Sequence, residues 1–232
     1  MLTIDFAAVR RGRRTVLESV DLEMRQGEVI GITGRNGAGK TTLALLAAGA
    51  LSPAAGVVRR HHAEAPIYVP QNPALAFASG SLATEAARRR LAWNDAARAI
   101  ARTGLAPEPE RHPLTFSHGE RRRLALALAL APPEPRLVIL DEPASGLDAI
   151  GLAALDADIN ALRARGSAVM IVAHDLDWLA RVTDRIALLD SGRIAVDRPS
   201  LAFLGSVVSG HLPLKAPAGA ALLARLGWSF AA

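Results

Sequence analysis

The chain has 232 residues, half of them apolar but only 4% aromatic, with a net charge of +5 and no cysteine. That length supports one large core or a core with a small subdomain, and the lack of cysteine excludes a disulfide framework and a Cys-ligated metal. No apolar run approaches the roughly 18 to 20 residues that span a bilayer, and the N-terminal MLTIDFAAVR lacks a basic start leading into an apolar stretch, so a soluble intracellular protein without a signal peptide is expected.

Residues 2–9 and 16–24 are rich in β-branched and apolar side chains and predict two strands joined by a basic turn at Gly12. Gly27 leads into a short apolar strand over 29–33. A glycine loop follows, then a helix over 41–50 closed by Gly49 and Pro53. Short strands near 56–60 and 66–70 lead to Gln71. From there to about Thr115 the chain is rich in Ala and Arg and predicts helix, punctuated by Gly104, Pro107 and Pro109. Over 123–131, leucine recurs at every second position, as in a strand. Ala and Leu favour helix, however, the intervening positions are also apolar, and Pro132 and Pro133 would stop it, so the prediction is a buried helix. Residues 137–140 form a continuous apolar run ending in Asp141 and Glu142, the pattern of a parallel strand covered on both faces. A helix at about 147–165, a strand at 168–173, a short helix at 175–182 and strands at 185–190 and 193–197 complete an α/β core. The Gly- and Pro-rich tail from about 205, ending in LGWSFAA, predicts packing or a weak contact surface.

The stretch GRNGAGKTT, residues 34–42, fits G-x-x-x-x-G-K-[ST] between a strand and a helix, the context of a P-loop. Glycines let successive N–H groups converge on phosphate oxygens, and the helix N-terminus adds partial positive charge. The predicted nucleotide-binding set is therefore Gly34, Arg35, Asn36, Gly37, Ala38, Gly39, Lys40, Thr41 and Thr42. Lys40 is placed to reach the β- and γ-phosphates, and the Thr41 hydroxyl to ligate Mg²⁺. Of 27 basic residues only Lys40 and Lys215 are lysines, so a lysine in this loop marks a place for a compact ammonium. RLVILDEP puts Asp141 and Glu142 at the C-terminal edge of a buried strand, where open α/β sheets bind ligands. Asp141 is the candidate metal residue and Glu142 the candidate base for an attacking water. In FSHGERRRLALALAL, Ser117 and Glu120 form a capping box. Arg121, Arg122 and Arg123 behind it are unfavourable near a helix's positive end and predict an anion or acidic partner nearby.

Together these motifs resemble the ATP-binding-cassette ATPases, from about residue 2 to 200. The resemblance implies a P-loop NTPase core of α/β class with an N-terminal antiparallel β region and a small helical subdomain. Its domain would run over 1–204, with the subdomain at about 72–134 inserted and a tail over 205–232. Gln71 in VPQNP resembles the Q-loop glutamine, which touches Mg²⁺ and the water and faces a membrane partner. SGLD, residues 145–148, resembles the D-loop and implies Asp148 at a partner subunit. His174 in IVAHD resembles the switch histidine that contacts the γ-phosphate. Ser117, His118, Gly119 and Glu120 stand where the family usually has Ser-Gly-Gly-Gln. Ser117 and Gly119 would then bind the γ-phosphate of ATP held by a second cassette. Two departures are specific: His118 replaces the first signature glycine, and Arg11 stands near the position of the adenine-stacking aromatic, where a guanidinium would stack instead.

The implied function is the ATPase subunit of a membrane transporter, peripheral on the cytoplasmic face. It would be paired with an identical or sister cassette and coupled to integral membrane subunits, with Mg²⁺ as cofactor and ATP as substrate. The stretches QNP, SHGERRRLALA and HDLDWLARVTDRIALLDSGRI are most similar to the ATPases of cobalt/nickel and energy-coupling-factor vitamin importers, which implies uptake of a vitamin or transition metal ion. The alternatives are a cassette of another importer or exporter class, a weak member of an asymmetric pair, or a soluble cassette ATPase acting on DNA or ribosomes. Against the last, the arginines are dispersed without alternating aromatics, and no nucleic-acid partner is expected.

Overall fold

The computed structural model describes residues 1–78, 80–131, 135–212 and 214–225. The Pro132–Pro133 stop signal and the LGWSFAA terminus lie outside them. Two sheets organise the described residues. The first is antiparallel, in the order β2 (Arg14–Met24), β1 (Leu2–Arg11), β4 (Ala55–Arg60). Both long strands change phase midway: Leu2 and Ile4 are buried but so are Ala7 and Val9, and Leu17 is followed by Val20, Leu22 and Met24. A bulge absorbs the odd residue, with Phe6 and Ser19 both at positive φ (47° and 46°) and the register shifting between Ile4 and Ala7. The bulge keeps the apolar set on one face on both sides of the slip.

The second sheet has the order β5 (Ile67–Val69), β6 (Leu137–Asp141), β7 (Ala168–Val172), β3 (Val29–Thr33), β8 (Arg185–Asp190), β9 (Arg193–Pro199), all parallel except β9. Every residue of β3, β6 and β7 is buried, as their unbroken apolar runs require when both faces are covered. On one face the helix α1 (Lys40–Ala48) packs in a core shared with the antiparallel sheet. On the other lie α5 (Ala149–Ala164), α6 (Leu176–Val182) and α7 (Ser200–Val208). A third apolar cluster joins α2 (Leu82–Arg88), α3 (Trp93–Arg102) and α4 (His118–Leu130). The leucine alternation in α4 is indeed helical: Leu124, Ala125, Leu126, Ala127 and Leu128 are all buried, so the helix is covered on every side there.

Helix between 71 and 115 is sparser than the composition predicts. Among the described residues of this stretch only α2 and α3 form, with 3-10 turns at Pro73–Ala76 and Pro113–Thr115. Left-handed residues follow each helix, Arg90 at φ 57° and Gly104 at φ 78°, and the prolines beyond cannot supply ladder donors. The arginines here are not all solvated. Glu85 is fully buried and accepts from Arg88 at 2.8 Å, from Arg89 and from the Ala78 N–H at 2.7 Å. Residues past 205 take part in the packing: α7 runs through that position, Val207 is buried, and α8 (Ala218–Arg225) buries Ala220.

Candidate nucleotide site

The loop between β3 and α1 is pressed between two strands, and its glycines follow from that. Gly34 has φ 149°, and a Cβ there would run into the carbonyl oxygen of Leu189 in β8. Gly39 has φ 108°, and a Cβ would meet Leu17 Cδ2 at 2.8 Å and the Val16 oxygen at 3.1 Å in β2. Gly39 is also the N-cap of α1 and offers no side-chain cap, so the helix presents its N–H groups to whatever enters the loop. Lys40 is 8% exposed; its Nζ arches back to donate to the Gly34 oxygen at 2.9 Å and the Arg35 oxygen at 3.1 Å. Burial holds its pKa below the usual lysine range, and the nearby Glu142 and Asp141 charges oppose that.

The two acids differ in their surroundings. Asp141, 1% exposed at the end of β6, accepts from the Tyr68 hydroxyl at 3.3 Å and has the Thr41 hydroxyl beside it. Its Oδ1 has no hydrogen-bond partner. Burial pushes its pKa up, partly countered by Thr41, Tyr68, Arg122 and Lys40. Tyr68 is pushed up to about 12 by burial and by Asp141. Glu142 stands at φ 50°, its N–H bonded to the Val172 oxygen at 2.8 Å. Burial raises its pKa while Lys40 lowers it. His174 Nε2 is 3.4 Å from Glu142 Oε1. Burial and Lys40 keep that imidazole below the ordinary histidine range, so it is neutral at neutral pH. An orphaned carboxylate oxygen beside a threonine hydroxyl suits a hard cation such as Mg²⁺. Among the described residues no group of three or more His, Asp or Glu could hold a metal, so phosphate oxygens would have to complete its shell.

These raised carboxylates carry a stability consequence. A native pKa above the unfolded value means that the contribution is complete below the unfolded pKa and is lost as pH rises through the native one. Asp141→Asn is therefore expected to raise the thermal midpoint of nucleotide-free chain in chelator at pH 7.5. The size is about 2–4 °C, as roughly 1 kcal/mol gives in a chain of this length, and the gain fades toward pH 4. A midpoint unchanged or lowered at neutral pH refutes it.

A cavity of about 520 Å³ gathers Arg11, Asn36, Gly37, Gly39, Lys40, Thr41, Thr42, Gln71, Asp141, Glu142 and His174. Arg14 also lines it, which the sequence reading did not single out. Gly34 and Arg35 line an adjoining cavity of about 480 Å³ with His174, and Leu214 and Lys215 from the chain's end join them there. Ala38 lies in the core beneath the loop. Ser117, Gly119 and Asp148 do not line the cavity; they cluster elsewhere. The capping box is formed: Ser117 Oγ accepts from the Glu120 N–H at 3.3 Å, and Glu120 Oε2 from the Ser117 N–H at 2.8 Å. The His118 ring lies against Gly146 of the SGLD turn, and Asp148 caps α5 through the Gly151 N–H at 2.8 Å.

The acidic neighbour expected near the arginine run is met by Arg123 alone of the two whose partners are resolved. Arg123 meets Asp148 at 3.4 Å, but Arg122 is wholly buried and bonds only main-chain oxygens. Its helical phase, one turn before Ala125 and Leu126, was the available signal. Tyr68 carried none, since only the pairing of β5 with β6 brings it to Asp141.

Comparison with known proteins agrees with this geometry. The family model described as ABC transporter matches residues 17–145. An aliphatic sulfonates import ATP-binding protein of Rhodococcus jostii (strain RHA1) is 38% identical over 202 residues, covering 84% of this chain and 74% of that protein. A hemin import ATP-binding protein of Pseudomonas aeruginosa is 36% identical over 216 residues, covering 83% and 84%. Among solved structures, cbiO1 from Clostridium perfringens, part of an ABC transporter complex, has a TM-score of 0.73 at 23% identity, covering 96% of this chain and 98% of that one. With its strand–P-loop–helix unit, its paired acids at the end of β6 and these relatives, the chain belongs to the ABC transporter family, as an ATP-binding cassette whose ATP hydrolysis is coupled to transport.

Proposed function

We propose that the chain is the ATPase subunit of an ABC importer, that two cassettes close around two nucleotides, and that an integral membrane subunit receives the motion. One observation carries the reading. Lys40, Asp141, Glu142 and His174 share a cavity, while Ser117 and Gly119 stay outside its lining with Ser117 exposed. In this reading Lys40 and the loop amides, from Gly34 to Thr42, hold the β- and γ-phosphates, and Arg11 stacks at the cavity mouth. Thr41 and Asp141, with Gln71, would hold Mg²⁺, which when bound neutralises phosphate charge. Glu142 takes the proton of the attacking water, and its raised pKa suits a base working near neutrality. Neutral His174 donates to the γ-phosphate. Ser117 and Gly119 complete the second cassette's site, with Asp148 at the contact between them.

The membrane subunit's seat is a groove of about 930 Å³ that includes Leu75, Phe77, Arg88 and Arg89. Leu75 is 73% exposed there. No helix among the described residues is long and apolar enough to cross a membrane, which is compatible with a peripheral place on the cytoplasmic face. Relatives whose names specify import favour that direction. The finer reading, uptake of a transition metal ion or vitamin in the cobalt and energy-coupling-factor manner, rests on the motif similarity, to which cbiO1 adds likeness of fold. A nucleic-acid role is less well supported, because Arg88, Arg89 and Arg122 are engaged inside the chain. The domain division is kept: a cassette over 1–204, its helical part at about 72–134, and a tail.

Ser117→Arg tests the pairing. It is expected to lower ATPase activity by at least about tenfold and abolish ATP-dependent dimers in sedimentation, while nucleotide affinity of the single chain stays within about twofold. Undiminished hydrolysis in that variant would sink the two-cassette reading.

A further inference from the structure

Strands β5 and β6 run side by side until Val69 pairs with Leu140, and the ladder between them then stops. Past that point the chain carries the Gln71 loop on one side and the Asp141–Glu142–Pro143 corner on the other. Main-chain oxygens at such an end need donors from elsewhere when they are buried. Here one side chain meets five of them. Arg122, 1% exposed, donates from Nε to the Pro143 oxygen at 3.2 Å and from Nη1 to the Pro70 and Gln71 oxygens, each at 2.8 Å. From Nη2 it donates to the Asp141 oxygen at 3.2 Å and to the Glu142 oxygen. A guanidinium has five N–H donors. All five are engaged, and none on a carboxylate. Burial lowers its pKa, and the Asp141 and Glu142 charges, acting only through space, offset part of that cost.

We infer that Arg122 is a positioning residue for hydrolysis, tying the base Glu142, the Gln71 loop and the Ser117-bearing helix into one mechanical unit. The inference rests on the roles proposed above for Glu142 and Gln71. Its physical content is the conformation of Glu142. That residue holds φ 50°, a region that non-glycine residues seldom occupy and keep only when their surroundings fix it. Both of its main-chain groups are fixed: the N–H by Val172 in β7, the carbonyl by Arg122 together with the Ser145 N–H at 3.2 Å. The same guanidinium holds the carbonyl of Gln71, whose loop continues into Leu75 and Phe77 on the groove wall. It projects from the fifth residue of α4, whose first turn carries Gly119 and is capped by Ser117. A push on the groove therefore reaches the main chain of the base through two hydrogen bonds from one rigid, planar group. Neither neighbour is built this way: Arg123 pairs with Asp148 across the surface, and Arg121 Nε has no partner.

Lysine is the informative replacement, because it keeps the charge but offers three donors from a single atom and cannot span five oxygens. With the full chain, Arg122→Lys and Arg122→Gln are each expected to lower kcat by at least about tenfold, with ATP affinity in chelator within about twofold of the parent. Amide hydrogen exchange is expected to quicken over 70–77 and 142–146 while residues 34–42 keep their protection. A smaller loss of kcat in the lysine variant overturns the inference. So does a loss accompanied by weakened ATP binding and faster exchange throughout, which would mark Arg122 as general support for the fold. Should the glutamine variant not fold, the lysine variant decides alone. Normal turnover by Glu142→Gln would instead defeat the base assignment, a separate result from any seen at Arg122.

Discussion

Glu142→Gln is expected to lower kcat by about 10²- to 10⁴-fold, the contribution of a positioned general base, while ATP still binds. The substitution keeps the shape and the main-chain bonds that hold the residue at φ 50°, and removes only the proton acceptor. It also removes a carboxylate whose pKa burial raises. Nucleotide-free Glu142→Gln should therefore be at least as heat-stable as the parent at neutral pH, so lost activity cannot be laid to a damaged fold. With hydrolysis stopped, ATP should hold the paired state long enough for a stable dimer to appear in sizing. Phosphate release and equilibrium binding measured on the same preparation give the test. Turnover within tenfold of the parent would place the base elsewhere in the cavity.

Lys40→Ala is expected to weaken ATP binding by roughly 100-fold or more, about 2.7 kcal/mol, as the loss of a charge-assisted contact in a buried site predicts. The ammonium is 8% exposed and already seated over the loop through the Gly34 and Arg35 oxygens, so little ordering remains to be done when phosphate arrives. Lys40→Arg is expected to fail nearly as badly. The loop is closed in by Leu189 on one side and Val16 and Leu17 on the other, and a planar fork does not fit where a compact ammonium does. Titration with a fluorescent ATP analogue separates the outcomes. Binding within a few-fold of the parent in Lys40→Ala would remove Lys40 from the phosphate site.

The electrostatics of the cavity explain why these two substitutions differ. Lys40 lowers the pKa values of Asp141, Glu142 and His174, while burial raises those of the acids and lowers that of the histidine. Lys40 thus acts with Arg122 to oppose the neutralisation of two buried carboxylates, and adds to burial in keeping the imidazole neutral. Removing it disturbs all three of these groups; removing the Glu142 carboxylate leaves the bonds of Lys40 to the Gly34 and Arg35 oxygens as they were.

What could be read from the sequence was whatever a short stretch of chain decides for itself. The P-loop is nine consecutive residues whose glycines, lysine and threonine act through their own backbone path. The Ser117–Glu120 capping box closes within four residues, and the unbroken apolar run of β6 announces its burial before Asp141 and Glu142 end it. Tertiary structure alone decided the rest. Nothing local gathers five main-chain oxygens around Arg122, brings Tyr68 to Asp141, sets Lys215 beside the P-loop, or limits helix among the described residues of 71–115 to two short segments. Each depends on which strand ends meet and which main-chain oxygens are left without partners there. That is settled by the pairing of β5 with β6 and the packing of α4 across them, between residues from 19 to more than 50 apart.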